Sequence, residues 1–342
     1  MTDFVFGSID DVGAALGRYA ILTQDVPWSL VKDRIEGRPV SVTMVTNLEH
    51  KYLDRVADAL PAPIDTVVGI GGGVSIDAAK YCAWKRKCSA IFVPTILSVD
   101  AYVSLPVAVR ENGVVNYFGN VVPDKIVIDY RAIQSAPKRL NRAGTGDVYS
   151  CRTALFDWKL SHEETGESYD AEIAARAQRL VDRLIEKASD IRDVTVEGIR
   201  TLVDLHAEAN HLIAIAGKAR PEEGSEHVFF YALEELTKRY FLHGEVVGTG
   251  IYIVSYLQSK DEREVARVMD GFSLMFRPLE CGITKDEFVS AALHMKQYSR
   301  RERLPFTILD VAEITRGDAE RLWDDLSATT SKEPSHSTEP VM

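Results

Sequence analysis

A glycine triplet at residues 71–73 constrains the fold of this chain more than any other stretch. It follows the apolar run 65–70 and precedes a helical pattern that begins near Val74, so it predicts a strand, a tight turn and a helix N-terminus. Glycines let the backbone approach a ligand, and the free N–H groups of a first helical turn favour a phosphate. The pattern matches neither G-x-G-x-x-G nor G-x-x-x-x-G-K-[ST], so a turn that binds nothing is an equal alternative.

Strand and helix patterns alternate around this triplet. We predict two helices within residues 9–36, and then a β-α-β-α-β series with strands at 40–46, 65–70 and 90–94 and helices at 48–59 and 74–87. The strand at 40–46 is interpreted as the first inner strand. Such an order requires right-handed crossovers and a parallel sheet, which binds ligands at the carboxyl ends of its strands. A further strand is predicted at 125–129.

The second half of the chain has a different periodicity. From Ala143 onward apolar residues recur at helical spacing and no strand pattern follows. We therefore predict an α/β protein with a Rossmann-like parallel-sheet domain at 1–140, an all-helical domain at 141–330 and a disordered polar tail at 331–342. Asn112-Gly113 lies between two β-rich runs and predicts a surface hairpin.

Composition limits the classes of partner and compartment. The net charge of −11 argues against nucleic acid or an anionic membrane as a partner. No apolar run approaches the ~20 residues of a membrane helix, and the N-terminus lacks the pattern of a secretory signal. The four cysteines form no C-x-x-C pair and are interpreted as inert thiols in a reducing compartment. A cytoplasmic location is expected.

The histidine spacing alone does not predict a metal site. His206 and His211 are five residues apart, so they do not share a helical face as an i, i+4 zinc pair does. They are interpreted as structural, although His211 could approach a site. His227 and His243 belong to segments that read as separate helix beginnings, and their separation of sixteen residues matches no general metal motif.

A family resemblance adds to this picture. The motif Gly-Gly-Gly-x-x-x-Asp-x-x-Lys at 71–80 resembles that of the superfamily of iron-dependent alcohol dehydrogenases, glycerol dehydrogenases and dehydroquinate synthases, and above all its sn-glycerol-1-phosphate dehydrogenase branch. The similarity continues in the family's order through five further segments, namely Pro94–Ala101, Ala143–Asp147, Asp157–Leu160, Arg220–His227 and His243–Glu245. The resemblance implies NAD or NADP as coenzyme and one divalent metal, with Zn²⁺ favoured over Fe²⁺ or Ni²⁺. A homo-oligomer is also expected.

The resemblance assigns the metal to Asp147, His227 and His243, which also count as catalytic residues. Three protein ligands leave one or two positions open, which is typical of a catalytic site. A metal there would polarise a carbonyl oxygen while hydride passes between carbon and nicotinamide. A glutamate in place of Asp147 would have indicated a dehydroquinate synthase, so the aspartate favours a dehydrogenase.

The same resemblance assigns residues to the coenzyme and to the substrate. Asp77 and Lys80 are expected near the nicotinamide and its phosphates, although Asp77 could merely stabilise its helix and Lys80 could be solvated. Asp100 is expected to be catalytic and to bind a substrate hydroxyl, with an Asx turn as its alternative. The other expected coenzyme residues are Asn47, which follows the first strand, the glycines Gly71, Gly72 and Gly73, and Thr95 and Ser98.

The favoured reaction is the NAD(P)H-dependent reduction of dihydroxyacetone phosphate to sn-glycerol 1-phosphate. Lys218 and Arg220 precede the His227 segment and could pair with a phosphate, and Arg220 is the predicted substrate ligand. However, Glu222 and Glu223 replace the small polar residues of the glycerol-phosphate branch, so an unphosphorylated polyol or sugar-derived ketone is an alternative. A dehydroquinate synthase-like lyase or cyclase and a nucleotide-binding protein without catalysis are the remaining alternatives.

Overall fold

The computed structural model describes residues 3–12, 16–111 and 114–328. The chain divides between Asn141 and Arg142 into two compact units, which we call the N-terminal and C-terminal units. The strands of the N-terminal unit are β1 (Asp3–Phe6), β2 (Tyr19–Thr23), β3 (Ser41–Met44), β4 (Thr66–Gly71), β5 (Ser89–Pro94), β6 (Pro106–Glu111), β7 (Val114–Asn120) and β8 (Lys125–Ile128).

Short and long helices connect these strands and fill the C-terminal unit. The first five are α1 (Asp25–Val31), α2 (His50–Ala59), α3 (Gly73–Arg86), α4 (Tyr130–Ser135) and α5 (Lys138–Ala143), with 3-10 helices at Ile9–Asp11 and Asp100–Tyr102. The others are α6 (Thr145–Thr165), α7 (Ala171–Glu186), α8 (Ala188–Asp193), α9 (Val196–Ala216), α10 (Ser225–Thr237), α11 (His243–Leu257), α12 (Glu262–Gly271), α13 (Lys285–Arg301), α14 (Ile308–Val311) and α15 (Arg316–Ala328).

Six strands form one parallel sheet in the order β1-β8-β5-β4-β2-β3. All six residues of β4 are buried, which is the pattern of an inner strand covered on both faces. Because β4 and β5 are neighbours in parallel register, Gly71 pairs with Pro94 and the segments that follow the two strands begin side by side. The predicted parallel α/β fold is confirmed.

The prediction of two helices within residues 9–36 was wrong in part, because the described residues of this segment form the 3-10 helix Ile9–Asp11 and helix α1 but also a strand. This segment contains β2, whose five residues are all buried, and β2 lies between β3 and β4 in the sheet. A short, fully buried strand lacks the alternation of apolar and polar residues, so its sequence resembles part of a buried helix. The strand predicted at 40–46 exists as β3, but it is an edge strand and not an inner one. Strand β1 was not predicted.

The remaining predictions concern the hairpin, the second half of the chain and the thiols. Strands β6 and β7 pair antiparallel as predicted, although the Asn112-Gly113 turn lies outside the described residues, as does the tail 331–342. From Arg142 to Ala328 the described residues form helices and connections without a strand. The four cysteines are free thiols. None of the described helices is both long and apolar enough to cross a membrane.

Candidate active site

The glycine triplet forms the turn from β4 to α3. Gly71 has a φ of +143°, and a Cβ there would lie 2.5 Å from Ser75 Oγ, so this position requires glycine. Helix α3 begins at Gly73, and no side chain caps its N-terminus. The N–H groups of a first turn without a side-chain cap are suited to the oxygens of a phosphate group.

Asp77 and Lys80 form a buried ion pair one turn further along α3. The Lys80 amine lies 3.2 Å from Asp77 Oδ1 and donates hydrogen bonds to Ser104 Oγ and to the Pro106 carbonyl. Its side chain is completely buried, so Lys80 is not the solvated helix residue that was one alternative. Burial raises the pKa of Asp77, and the neighbouring ammonium of Lys80 opposes this effect. The pair fixes α3 to the segment that follows the second 3-10 helix.

The loop after β5 contains three predicted site residues. The Thr95 N–H donates to the Gly71 carbonyl at 3.1 Å, so the structure brings this loop and the glycine triplet together. Thr95 and Ser98 are buried. Asp100 is half-buried and begins a 3-10 helix, in which its carbonyl accepts hydrogen bonds from Val103 and Ser104. These residues belong to the carboxyl-end edge of the sheet, where open α/β sheets bind ligands.

Asn47 follows the edge strand β3. Its Oδ1 accepts the Glu49 N–H at 3.0 Å and its Nδ2 donates to Thr46 Oγ1 at 3.1 Å, so the side chain shapes the turn before α2. The side chain is half-buried.

Three predicted metal ligands converge in the C-terminal unit. Asp147 belongs to the first turn of α6, His227 to the first turn of α10, and His243 is the first residue of α11. One potential ligand atom from each residue lies within 4.8 Å of the others, and His243 Nε2 lies 3.2 Å from Asp147 Oδ1. Residues separated by 80 and 16 positions in the sequence therefore form one compact cluster.

Two glycines allow the helices of this cluster to approach. A Cβ at Gly146 would collide with the carbonyl oxygen of Gly244, and a Cβ at Gly244 would collide with that of Ala143. These glycines directly neighbour Asp147 and His243 in the sequence. The close contact of α11 with α6 and with the last residue of α5 thus depends on the absence of a side chain beside each of two proposed ligands.

The bonding of the cluster fits a divalent cation. Asp147 is buried, and no described residue donates a hydrogen bond of normal geometry to either of its carboxylate oxygens. A buried carboxylate without donors is costly unless a cation compensates its charge. His227 is bonded through Nδ1 to Glu226 Oε1 at 2.8 Å, which leaves Nε2 as a ligand atom. An Asp-His-His set of this kind suits Zn²⁺ and other first-row divalent ions.

The charges within the cluster lower the pKa of Asp147 and raise the pKa of His227. Burial alone would raise the pKa of Asp147, but the neighbouring histidines, His243 first, outweigh it and lower the pKa. Burial alone would lower the pKa of His227, but its bond to Glu226 and the nearby carboxylates outweigh it and raise the pKa to about 9. Metal binding would therefore displace a proton from His227.

Arg220, the predicted phosphate ligand, is paired with the carboxylate of Glu167 in the structure. Its buried guanidinium donates to both oxygens of Glu167, at 2.6 Å for the shortest bond, and to the Phe306 carbonyl at 2.7 Å. The Lys218 amine lies 2.8 Å from the same carboxylate. Glu223, one of the two acidic residues that follow Pro221, accepts a hydrogen bond from the Tyr231 hydroxyl.

Other histidines lie outside this cluster, and one acidic residue beside it was missed. His206 is buried with Nε2 2.8 Å from the Gly144 carbonyl, whereas His211 is exposed. Glu226 is not among the residues predicted from the sequence, although it directly precedes His227. Its carboxylate contacts His227 and also accepts the Thr153 hydroxyl. The signal in the sequence was a carboxylate directly before a proposed histidine ligand, because such carboxylates commonly support metal-bound histidines.

Comparisons with known proteins identify the family and agree with the fold. Residues 15–137 match the family model of the iron-containing alcohol dehydrogenases. The chain is 38% identical to the glycerol-1-phosphate dehydrogenase [NAD(P)+] of Hyperthermus butylicus over 81% of this chain and 78% of that protein. It is 33% identical to the enzyme of the same name from Aeropyrum pernix, over 84% and 81%.

A solved structure shows the same fold. The crystal structure of glycerol dehydrogenase from Schizosaccharomyces pombe matches with a TM-score of 0.73 and 19% identity, over 96% of this chain and 89% of that one. The similarity in sequence to these two glycerol-1-phosphate dehydrogenases extends over both units. The chain therefore belongs to the glycerol-1-phosphate dehydrogenase family of iron-containing alcohol dehydrogenases.

Proposed function

We propose that this protein reduces dihydroxyacetone phosphate to sn-glycerol 1-phosphate with NAD(P)H, and that Asp147, His227 and His243 hold the divalent metal that the reaction needs. The observation with the greatest weight is the convergence of these three side chains, in which the contact of the buried Asp147 carboxylate with His243 Nε2 lacks the geometry of a normal hydrogen bond. The glycerol-1-phosphate dehydrogenase relatives support the substrate and the coenzyme.

The residues of the two units have separate tasks in this proposal. When bound, the metal supplies Lewis acidity toward the substrate oxygen and the reduced nicotinamide supplies hydride. The Asp147 carboxylate offers the negative charge that holds the cation, and the two imidazoles complete the ligand set. In the N-terminal unit, the first turn of α3 binds the coenzyme phosphates, with the Asp77–Lys80 pair, Thr95 and Ser98 shaping that site. Asp100 accepts a hydrogen bond from a substrate hydroxyl.

The finer assignments follow from the donor set and the family. We propose Zn²⁺ as the metal because one carboxylate and two imidazoles are ligands that it commonly takes, with Fe²⁺ and Ni²⁺ as alternatives. A cytoplasmic homo-oligomer remains our expectation for the assembled enzyme.

A neutral polyol or sugar-derived ketone is the second candidate substrate. It is favoured by one observation, the engagement of Arg220 with Glu167, because a substrate phosphate would have to share the guanidinium with that carboxylate. Lys218 is held by the same carboxylate. Phosphate recognition therefore needs either a rearrangement of this ion pair or cations elsewhere.

A substrate panel distinguishes the two candidates. Zinc-reconstituted protein is mixed with NADH or NADPH and either dihydroxyacetone phosphate, dihydroxyacetone or short sugar ketones, and coenzyme oxidation is followed. We expect the highest kcat/KM with dihydroxyacetone phosphate. A higher value with an unphosphorylated ketone would reject the phosphorylated substrate while retaining the dehydrogenase.

A further inference from the structure

We propose that Glu226 is the positioning residue of the metal site, which fixes the protonation of the His227 ring and increases its strength as a ligand. This inference rests on the proposed metal site and assigns a role to a residue outside the set of ligands. The Glu226 side chain is completely buried, yet it contacts the ring of a proposed ligand directly.

The Glu226 carboxylate is held by three donors from fixed elements. Oε1 accepts the Gly224 N–H at 2.6 Å and lies 2.8 Å from His227 Nδ1, and Oε2 accepts the Thr153 hydroxyl at 2.7 Å. Because Oε1 already receives a backbone N–H, the His227 contact is satisfied only if Nδ1 carries a proton and donates it. Nε2 is then the ring nitrogen with a free lone pair for a metal.

The same network connects the histidine to the helix of the carboxylate ligand. Thr153 belongs to α6, six residues after Asp147, so the Thr153–Glu226 bond ties α10 to α6 next to the cluster. One turn further along α6, Asp157 accepts the Ser225 N–H at 2.8 Å. The segment that begins α10 is therefore anchored to α6 through the two residues that precede His227, which restricts the orientation of the ring.

Two substitutions separate the charge of Glu226 from its hydrogen bonds. In Glu226→Gln the amide oxygen can still accept from Gly224 and His227, and its NH₂ can donate to Thr153, so the fold is preserved while the charge is lost. Glu226→Ala also removes the acceptor. Carboxylates that support metal-bound histidines typically contribute tenfold to a hundredfold in affinity. We expect zinc affinity about tenfold lower for Glu226→Gln and about a hundredfold lower for Glu226→Ala.

The control is a half-buried glutamate on the same helix. Glu235 lies nine residues after Glu226, and its carboxylate is bonded to His294 and Arg301, which are not proposed ligands. Glu235→Gln therefore makes the same chemical change in α10, and its zinc affinity should stay within about twofold of the wild type, as expected for a carboxylate with other partners.

The experiment measures zinc affinity by competition with a chromophoric chelator, beside the circular dichroism and thermal midpoint of each metal-free protein. In zinc-loaded protein labelled with ¹⁵N-histidine, the Nδ1–H resonance of His227 is also recorded, because it reports whether Nδ1 carries the proton and donates it to residue 226. The result expected is weaker zinc binding by folded Glu226→Gln together with a shifted Nδ1–H resonance. Affinity within twofold of the wild type, or an unchanged resonance, would overturn the positioning role.

The wild-type protein distinguishes this inference from the proposed function. If the wild type binds zinc at the cluster and Glu226→Gln binds it equally well, only the role of Glu226 is rejected. If the wild type itself binds no zinc, the proposed metal site and this inference are both rejected. Should Glu226→Ala fail to fold, Glu226→Gln remains the deciding variant.

Discussion

At the scale of single residues, Arg220 decides whether a phosphate is recognised at the predicted position. If its guanidinium binds the substrate phosphate, Arg220→Ala removes a charge-assisted contact worth about 1.5–3 kcal/mol. We predict that kcat/KM for dihydroxyacetone phosphate falls on the order of tenfold to a hundredfold, while that for dihydroxyacetone hardly changes.

A matched variant controls for the ion pair of Arg220. Glu167→Gln weakens the pair but leaves the guanidinium in place, so it reports what the pair alone contributes to activity. Equal losses on both ketones in Arg220→Ala, reproduced by Glu167→Gln, would assign Arg220 to structure and would favour a neutral polyol as substrate.

Asn47 is the residue that we expect to govern the choice of coenzyme. An acidic residue at this strand end would bind the adenosine 2′-hydroxyl and repel the 2′-phosphate of NADPH. Asn47 has no such charge, so we predict that NADPH is accepted alongside NADH. In Asn47→Asp, which can keep the bond from the Glu49 N–H, kcat/KM for NADPH should fall about tenfold or more while that for NADH serves as the internal control. Equal effects on both coenzymes would remove Asn47 from the ribose site.

At the scale of secondary-structure elements, the contact between α6 and α11 determines the geometry of the metal cluster. In Gly146→Ala the added Cβ would collide with the Gly244 carbonyl, so the helices must separate beside Asp147 and His243. We predict a loss of about 3 kcal/mol in the free energy of unfolding and a parallel loss of bound metal. Chemical denaturation and metal analysis measure the two quantities.

Gly271→Ala is the control for that substitution. A Cβ at Gly271, the last residue of α12, would meet no atom within 4 Å. Its stability and metal content should match those of the wild type. If Gly146→Ala also retains its metal, the close approach of the two helices is not what assembles the ligands.

Glu167, two residues after the end of α6, is paired with Lys218 and Arg220 in the segment before α10. The stability that these ion pairs provide should depend on pH. Partial burial would raise the pKa of Glu167, but its bonds to Arg220, Lys218 and Ser161 outweigh it and lower the pKa to about 2. A carboxyl with a lowered pKa in the folded state stabilises the protein above its ordinary pKa of 4.5, and this contribution disappears as the pH falls toward 2.

We therefore predict that Glu167→Gln lowers the free energy of unfolding by about 3 kcal/mol near neutral pH, and that its difference from the wild type shrinks between pH 4.5 and 2. Denaturant titrations across this range measure the difference. The control is Glu163→Gln, because the exposed Glu163 lies 3.8 Å from Lys159 on the surface of α6. This substitution should change the free energy of unfolding by less than about 0.5 kcal/mol. A difference for Glu167→Gln that is constant with pH would contradict the role of the ion pair.

At the scale of the whole molecule, the sequence predicted the elements whose patterns are strong and missed those whose patterns are ambiguous. Strand β4 and helix α3 could be predicted because a glycine turn separates two clear patterns, and the parallel sheet followed from their alternation. Strand β2 could not, because a buried strand of five residues has no polar face to reveal its period.

The metal cluster illustrates what local pattern cannot provide. Asp147, His227 and His243 begin three different helices, so no spacing rule connects them, and only the family resemblance identified them together. The Glu167 partner of Arg220 was likewise unpredictable, because it lies 53 residues away and is brought near by tertiary packing. The proposed ligands could thus be named together by resemblance, whereas the partners of each proposed ligand required the structure.

The central claim, a metal-dependent reduction of dihydroxyacetone phosphate at the Asp147–His227–His243 cluster, is tested most directly by a zinc titration. Metal-free wild type and His243→Ala are titrated with zinc while bound metal and the oxidation of NADH or NADPH with dihydroxyacetone phosphate are followed, and the product is analysed for its stereochemistry. We predict that the wild-type rate rises to a plateau at one zinc ion per chain with sn-glycerol 1-phosphate as product. In His243→Ala, bound metal and rate should both remain low. Full activity in metal-free His243→Ala, or no oxidation that depends on dihydroxyacetone phosphate in the zinc-loaded wild type, would contradict this account.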